Sequence, residues 1–277
     1  MAEVSLLLIG DRSRAEFREA CGALAEKGRV TAVPDVDAAL RRLSSGRLAP
    51  EVVVLLQGYP AQFPAEDIER LRRAAPLARL VGLLGSWCEG EMRSGSPTPA
   101  AVRIYWHQAP PRFDRELRCL RDACGGAWSL PLTATEEERL LTDADRPVEK
   151  RPGLIAIHTD RFEMEDWLSA ACRRRGGSTV WLRPPRPARV EGAVAAIYDG
   201  PGGGEGQLDE LAHLAATLGR LPSGRPVPIL ALLGFPRTRH HRRALAAGAT
   251  AVLSKPANLD DLYWHLDRLM EEGQASP

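Results

Sequence analysis

Short uninterrupted apolar runs, separated by segments with helical periodicity, restrict the fold of this sequence more than any other feature. Apolar runs of about four to seven residues without polar alternation are typical of strands that are buried on both faces. Strands of this kind form parallel sheets whose two faces are covered by helices. In the first half of the chain such runs predict five strands: Ser5–Ile9, Val30–Val33, Val52–Leu56, Leu80–Leu84 and Ala101–Trp106.

The second half of the chain repeats this pattern. The segments Val81–Gly85 and Leu230–Gly234 share the same apolar character and the same terminal glycine. The sequence therefore predicts an α/β protein with two tandem five-stranded parallel sheets. The strands predicted in the second half are Leu154–Ile157, Thr179–Leu182, Ala193–Tyr198, Ile229–Leu233 and Ala251–Ser254.

Breaks in the pattern predict the domain organisation. We expect a first domain at 1–125, a linker at 126–152 that holds a short helix near Glu137–Leu141, a second domain at 153–273 and a tail at 274–277. Within the first domain, Ser86–Pro99 is rich in glycine, serine and proline, which predicts a long loop in place of the fourth helix. Prolines likewise leave little room for a helix in Arg183–Gly192 of the second domain.

The composition excludes several classes of protein. The 37 basic and 36 acidic residues give a formal net charge of +1, so no overall charge favours binding to nucleic acid or to an anionic membrane. No apolar run approaches the roughly 20 residues of a membrane helix, and the N-terminus lacks the pattern of a signal peptide. We therefore expect a soluble, cytoplasmic protein. The five cysteines form no Cys-x-x-Cys pair, so we expect buried thiols rather than a disulfide framework or a zinc site. We expect no bound metal and no cofactor.

The sequence around Lys255 is the most specific motif in the chain. Only three of the 277 residues are lysines, and this one stands between an apolar run and Pro256, shortly after Ala-Ala-Gly-Ala at 246–249. Together with the strand that ends near Leu233, this arrangement resembles the C-terminal part of a response-regulator receiver domain. The resemblance implies a doubly wound sheet in both halves, with a site at the carboxyl ends of the strands. It also implies a cis bond between Lys255 and Pro256.

The same resemblance implies a set of site residues in the second half. In receivers, two acids after the first strand and an aspartate after the third hold Mg²⁺. A hydroxyl after the fourth strand contacts the phosphoryl group of the modified aspartate, and a lysine after the fifth reaches toward that aspartate. The corresponding residues here are His158, Thr159, Asp199, Leu233 and Lys255, and Asp160 contributes a charge only if the alignment shifts by one residue.

Only two of these five positions keep the residue type that receiver chemistry needs. Mg²⁺ prefers several anionic oxygen ligands, so His158 and Thr159 are poor substitutes for two carboxylates, and Leu233 offers no hydrogen bond. We expect Asp199 and Lys255 to persist as a structural pair, because deleting either one leaves the other charge unpaired. A true phosphoacceptor role for Asp199 is the alternative.

The first half departs further from the receiver pattern. Gly10 and Asp11 stand at the acid positions, and Gln57 stands where the phosphoacceptor belongs. The hydroxyl position falls on Leu84 or Gly85, and the lysine position on His107 or Gln108. Glutamine neither accepts a phosphoryl group nor anchors Mg²⁺, so this half is expected to resemble a receiver in architecture alone.

A second candidate site lies in the first half, where the fourth and fifth strands end. Side chains after adjacent parallel strands meet at one edge of a sheet, so a thiol, two acids, an arginine, a histidine and two aromatic rings could form a ligand pocket. The alternative is an ordered loop whose aromatic residues cover the core in place of the missing helix. The residues are Trp87, Cys88, Glu89, Glu91, Arg93, Tyr105 and His107.

Two functional hypotheses follow. The preferred one is a tandem pseudo-receiver that acts as a signalling adaptor or regulatory interaction protein in a bacterial phosphorelay-type pathway. The alternative is an enzyme or small-ligand-binding protein that uses Trp87–Arg93 and His107. We expect a protein partner, without a membrane or nucleic acid. The basic segment Arg237–Arg243 is expected to be a solvated helix face or to bind an acidic partner, and the adjacent Tyr263 and Trp264 are compatible with a homodimer.

Overall fold

A computed structural model describes residues 3–89, 102–131, 133–144, 148–184, 189–202 and 204–274. The chain divides into two compact units, residues 1–145 and residues 146–277. The division falls inside the segment that the sequence marks as a linker.

The first unit alternates strands with helices. Short 3₁₀ turns at Ser86–Cys88, Trp106–Gln108 and Ala127–Ser129 supplement the regular elements. These elements are β1 (Val4–Ile9), α1 (Arg18–Lys27), β2 (Gly28–Val33), α2 (Val36–Ser44), β3 (Val52–Gln57), α3 (Ala65–Ala74), β4 (Arg79–Leu84), β5 (Val102–Tyr105), α4 (Ala109–Arg121) and α5 (Glu136–Ala144).

The five strands of the first unit form one parallel sheet in the order β2-β1-β3-β4-β5. Leu24 of α1 and Phe113 of α4 pack in the core on one face of this sheet. Val36 of α2 and Ile68 of α3 pack in the core on the opposite face. Because helices cover both faces, β1 and β3 are buried along their whole length, which is why their sequences show no polar alternation.

The second unit has the same construction. Its five strands are parallel, in the order β10-β9-β8-β6-β7. Leu211 and Ala244 lie in the core on one face, and Leu168 and Leu262 lie in the core on the other. The elements are β6 (Leu154–His158), α6 (Phe162–Arg174), β7 (Ser178–Leu182), β8 (Ala193–Gly200), α7 (Glu205–Thr217), β9 (Ile229–Gly234), α8 (Thr238–Ala246), β10 (Ala251–Lys255) and α9 (Leu259–Gln274).

Numbered within each unit, the strand order is 2-1-3-4-5 in both. The expectation of two tandem, doubly wound, five-stranded parallel sheets is therefore confirmed. In such sheets the chain reverses its winding direction between the first and third strands, which leaves a crevice beyond their carboxyl ends. In the second unit these strands are β6 and β8, which pair directly, so the candidate site lies where they end.

The segments expected to interrupt the alternation of strands and helices differ in how the structure describes them. Ser86–Cys88 is a 3₁₀ turn, while residues 90–99 of the expected loop lie outside the described residues. Arg183 and Pro184 form no helix, nor do residues 189–192, and residues 185–188 are not described. Trp128, from the expected linker, packs edge-on against Phe113 with ring centroids 5.4 Å apart and belongs to the core of the first unit. Among the described residues, no helix is long and apolar enough to cross a bilayer.

Candidate functional site

Asp199 occupies the centre of the crevice in the second unit. It lies near the end of β8, beside the end of β6, where His158 pairs with Tyr198. Its side chain is 1% exposed. Since burial of an unpaired carboxylate costs several kcal/mol, the charge of Asp199 has to be balanced by its neighbours.

Three side chains donate hydrogen bonds to this carboxylate. The Thr159 hydroxyl donates to Oδ2 at 2.8 Å. The Arg161 guanidinium reaches both oxygens, with Nη2 at 2.9 Å from Oδ1 and 2.7 Å from Oδ2 and Nε at 3.2 Å from Oδ2. Lys255 Nζ donates to Oδ1 at 2.5 Å. Each carboxylate oxygen has about two lone-pair directions, so these donors occupy the hydrogen-bonding capacity of Asp199.

Lys255 is held in place by the end of β10. The strand order puts β9 between β10 and β8, so the long lysine side chain spans one strand to reach Asp199. Its ammonium also donates to the carbonyl oxygen of Gly200 at 2.9 Å, and its peptide bond to Pro256 is cis. The strand end and the second hydrogen bond therefore fix the direction of the ammonium group.

The electrostatic balance keeps Asp199 ionised. Burial alone would raise the pKa of the Asp199 carboxyl, but hydrogen bonds from Lys255, Arg161 and Thr159 outweigh it and hold the pKa below its ordinary value. The site thus consists of one buried carboxylate and two cations. A divalent cation approaching it would meet positive charge already in place.

The residues aligned with the magnesium acids are not carboxylates that converge on Asp199. His158 is 2% exposed and stacks on Tyr198 with ring centroids 5.5 Å apart. Burial lowers its pKa, against the opposing effect of Glu210 and Asp160, which keeps the imidazole neutral. Asp160 is exposed, and Leu233 belongs to the core. Within the described parts of the chain, no group of three or more His, Cys, Asp or Glu side chains could hold a metal ion.

The corresponding crevice of the first unit contains a carboxylate from a different segment. Gln57, at the end of β3, is fully buried. Glu16, from the segment after β1, is 8% exposed and accepts hydrogen bonds from the Ser86 amide at 3.1 Å and the Ser86 hydroxyl at 2.8 Å. Arg14 Nε donates to the other oxygen of Glu16 at 2.9 Å. The Glu16 carboxylate thus accepts both hydrogen bonds from Ser86, the second residue after the end of β4.

A side chain at position 85 would conflict with this arrangement. A Cβ atom there would lie 2.4 Å from Glu16 Oε1 and 3.3 Å from the carbonyl oxygen of Gln57. Both distances are shorter than an ordinary van der Waals contact, so any side chain at this position displaces Glu16. The observed position of the Glu16 carboxylate therefore depends on the absence of a side chain at Gly85.

The second candidate pocket, in the first unit, is partly assembled. Glu89 Oε1 lies 3.4 Å from Trp106 Nε1 and 3.8 Å from His107 Nε2, and the Tyr105 and His107 rings stack with centroids 6.0 Å apart. Cys88 is fully buried, and its thiol donates to the Gln57 carbonyl at 3.5 Å.

Other members of this pocket are not brought together. Trp87 is 74% exposed, so it does not cover the core, contrary to the expectation for an ordered loop. Glu91 and Arg93 lie outside the described residues. Cys88, with no exposed surface, is out of reach of a substrate in this conformation.

The strand order of both units identifies their fold. The order 2-1-3-4-5, with parallel strands and helices on both faces, is the order of flavodoxin and of the receiver CheY. In the second sheet, a lysine followed by a cis-proline ends the fifth strand and contacts the aspartate near the end of the third. The chain carries two tandem domains of the receiver/flavodoxin-like fold, which we call receiver-like domains. The first receiver-like domain lies in residues 1–145, and the second in residues 146–277.

Comparisons with known proteins give the following result. No protein-family model matches the chain, and no curated protein matches it. Similar solved structures include the receiver domain of Francisella response regulator 1452, with 12% identity over 43% of this chain and 98% of that chain and a TM-score of 0.33. A receiver domain of a histidine kinase from Syntrophus aciditrophicus has 20% identity over 45% of this chain and 95% of that chain, with a TM-score of 0.33. A two-component response regulator/GGDEF domain protein has 12% identity over 98% of this chain and 100% of that chain, with a TM-score of 0.36.

Sequence reasoning missed two residues of these receiver-like sites. The receiver resemblance assigns acids to this end of the first strand and gives Arg161 no role. A usable signal existed, since a fully buried aspartate with one lysine and no metal ligands needs a further donor, and Arg161 follows the acid positions directly. Glu16 carried no comparable signal, because its role depends on a contact with Ser86, 70 residues away.

Proposed function

We propose that this chain is a non-catalytic tandem pseudo-receiver that acts as an adaptor or regulatory subunit in two-component signalling. The observation that carries the proposal is the bidentate hydrogen bonding of the Arg161 guanidinium to Asp199, together with Lys255 and Thr159. A guanidinium is always protonated, and because it is part of the chain it cannot dissociate into solvent as a metal ion can. It supplies the positive charge that receivers obtain from a bound metal.

This arrangement is unfavourable for phosphorylation of Asp199. Attack on a phosphodonor requires a free carboxylate lone pair and a cation that contacts both the carboxylate and the incoming phosphoryl group. Arg161 is 49% exposed, so its side chain has room to leave. Its departure would still leave a neutral imidazole at His158 and a hydroxyl at Thr159 as the nearest substitutes for metal ligands. The guanidinium and the missing acids thus oppose phosphorylation of Asp199 independently of each other.

The first receiver-like domain supports the same function. Its residue at the phosphoacceptor position is Gln57, which has no carboxylate to modify. The contact between Glu16 and Ser86 occupies the loop after β4, where a receiver places the hydroxyl that contacts the phosphoryl group. Both domains keep the scaffold without the chemistry, so the signal is transmitted through protein contacts.

We propose helix α8 as a surface for an acidic protein partner. The segment Arg237–Arg243 contains four arginines and two histidines and no acid. Phe235 precedes it and is 63% exposed, with a positive φ of 43°. An exposed aromatic ring beside a row of arginines is a typical composition for a protein interface.

The principal test is phosphorylation by a small phosphodonor. The purified chain is incubated with acetyl phosphate and Mg²⁺, and its intact mass is measured. An active receiver is treated in parallel as the positive control. We expect no phosphoryl adduct on this chain. A stable adduct that is absent from Asp199→Asn would overturn the proposal.

A gain-of-function variant tests the two obstacles. Replacing His158 and Thr159 with aspartate and Arg161 with alanine restores the acids and removes the guanidinium. We expect this variant to bind Mg²⁺, and we expect the bound ion to quench the fluorescence of Trp181. The indole N–H of Trp181 donates to the Thr159 carbonyl at 2.9 Å in the native chain, so this ring lies beside the site. The same variant with Asp199→Asn is the matched control and should bind more weakly. If the native chain binds Mg²⁺ as tightly as the restored variant, the charge argument is wrong.

A further inference from the structure

A cleft lies at the free edge of the sheet in the first receiver-like domain. It has a volume of about 570 Å³ and lies between β2, helix α2 and the turn that follows α2. Among the described strands, β2 pairs with β1 alone, because it stands at the end of the sheet order. One wall of the cleft is therefore an unpaired strand edge.

The strand presents backbone hydrogen-bonding groups to this cleft. The carbonyl of Val33 accepts a hydrogen bond from the Gly10 amide at 3.0 Å, so Val33 directs its backbone groups toward β1. Successive residues of a strand direct their N–H and C=O groups to opposite sides. Ala32, which is exposed and lines the cleft, therefore directs its N–H and C=O groups outward. An added strand would form its backbone hydrogen bonds with these two groups.

The opposite wall of the cleft is basic. Arg41, Arg42 and Arg47 line it together with Ser45, and no acid is among the lining residues. All three arginines are exposed, and within the described parts of the chain none has an ion pair. Arg70, on the neighbouring helix α3, differs because it pairs with Asp37 and Asp67. The cleft thus concentrates positive charge that the domain itself does not neutralise.

We propose that this cleft binds an extended acidic segment of a partner protein, which adds a strand to the edge of β2. Strand addition uses the N–H and C=O groups of Ala32, and acidic side chains that project toward α2 pair with the arginines. An isolated phosphate would be repelled by the Ala32 carbonyl, whereas a peptide satisfies both backbone groups. A second copy of this chain would bring the same arginines to the edge, so like charges disfavour self-pairing.

The test uses a fluorescein-labelled octapeptide of alternating valine and glutamate, with fluorescence anisotropy measured on the full chain. The same peptide with lysine in place of glutamate tests for charge, and an N-methylated glutamate peptide, whose backbone cannot pair, tests for strand addition. We expect binding of the first peptide alone, weakened about tenfold or more between about 50 mM and about 300 mM salt. Equal binding of the N-methylated peptide would overturn the proposal.

Two variants separate the contributions of charge and backbone. Replacement of Arg41, Arg42 and Arg47 by glutamine should weaken binding about tenfold or more. The matched control replaces the exposed arginines 12, 18 and 121, which removes the same charge elsewhere in the domain, and should change binding less than about twofold.

Ala32→Pro removes only the outward N–H, which an edge strand tolerates, and should weaken binding about fivefold or more. If Ala32→Pro binds the peptide normally while the arginine variant does not, the cleft is a general anion site and strand addition is wrong. If both variants bind normally, the cleft is not the binding site and the whole proposal is wrong.

Discussion

The strand-end sites of the two receiver-like domains each contain a buried carboxylate that needs partners, but the carboxylate comes from a different part of the fold in each domain. In the second domain a strand carries the acid, Asp199, and the surrounding segments supply Arg161 and Lys255. In the first domain the strand residue is the neutral Gln57, and the acid, Glu16, comes from the loop after β1. The comparison teaches that a buried carboxylate is accommodated in either crevice when neighbouring side chains supply its hydrogen bonds and a cation.

The largest expected effect is that of removing the acid in the second domain. Asp199→Ala leaves Lys255 and Arg161 without their partner in a crevice where Lys255 is 19% exposed. We expect the free energy of unfolding of this domain to fall by about 3 kcal/mol. Hydrogen exchange measured by mass spectrometry follows each domain separately. The exposed Asp166→Ala on α6 is the control, and an equal loss there would refute a special role for Asp199.

Introducing an acid in the first domain should also destabilise it. Gln57→Glu keeps the shape of a fully buried side chain but adds a charge at a position that has no exposed surface. We expect a loss of about 2 kcal/mol at neutral pH. The loss should shrink as the pH falls and the new carboxyl becomes protonated. The measurement is urea unfolding of the variant and the native chain at several pH values, and a pH-independent loss would indicate a packing defect instead.

Acid should destabilise the second domain more than the first. Burial, with help from Arg268 and His241, lowers the pKa of His265 to about 4, and burial also lowers the pKa of His158. Both imidazoles are neutral when folded, whereas the unfolded chain binds protons below about pH 6.5. Stability is therefore lost as the pH falls below that value.

We expect the His265 contribution to this loss to be about 2 kcal/mol by pH 5. Hydrogen exchange at pH 7 and pH 5 measures it, after correction for the pH dependence of intrinsic exchange. The variant His265→Gln should reduce the difference between the two values. The first domain, whose one histidine is His107, serves as the internal reference. A larger acid effect in that domain would contradict the assignment.

The smallest effect is expected at Glu16. Glu16→Gln keeps an oxygen for Ser86 but removes the charge that pairs with Arg14, which is 34% exposed. We expect a loss of about 1 kcal/mol and faster amide exchange at Ser86. The exposed Glu19→Gln on α1 is the control. Unchanged exchange at Ser86 would show that the hydrogen bonds to Glu16 do not hold this loop.

Much of the architecture was predictable because each local pattern had a single physical solution. The apolar runs at β1 and β3 are typical of strands buried on both faces, and both strands are buried throughout. The boundary near residue 145 was less predictable. Trp128 and Arg139 lie in the sequence that resembles a linker, yet Trp128 packs in the first core and Arg139 donates to the Ala127 carbonyl at 2.5 Å. A charged, proline-containing segment carries no sign of such docking.

The site was predictable only in part. Asp199 and Lys255 were found because the sequence keeps both residue types at recognisable strand ends. Arg161 was missed because its contribution comes from the direction of a long side chain, which is set by the turn before α6. The β2 cleft was also missed. Arg41, Arg42 and Arg47 appear as an ordinary basic helix end, and only their position opposite an unpaired strand makes them a candidate site.

By itself the sequence determined that this chain forms two parallel α/β domains and that the second keeps one aspartate and one lysine without the metal acids. Apolar periodicity and residue type are local properties, and both can be recognised without coordinates. The tertiary structure alone decided which charges meet. Arg161 reaches Asp199 from the turn after the neighbouring strand β6, Glu16 reaches Ser86 across the end of a sheet, and the basic cleft has an open strand edge because β2 ends the order of the described sheet. Electrostatic partners depend on distances of a few ångströms, and the fold sets those distances.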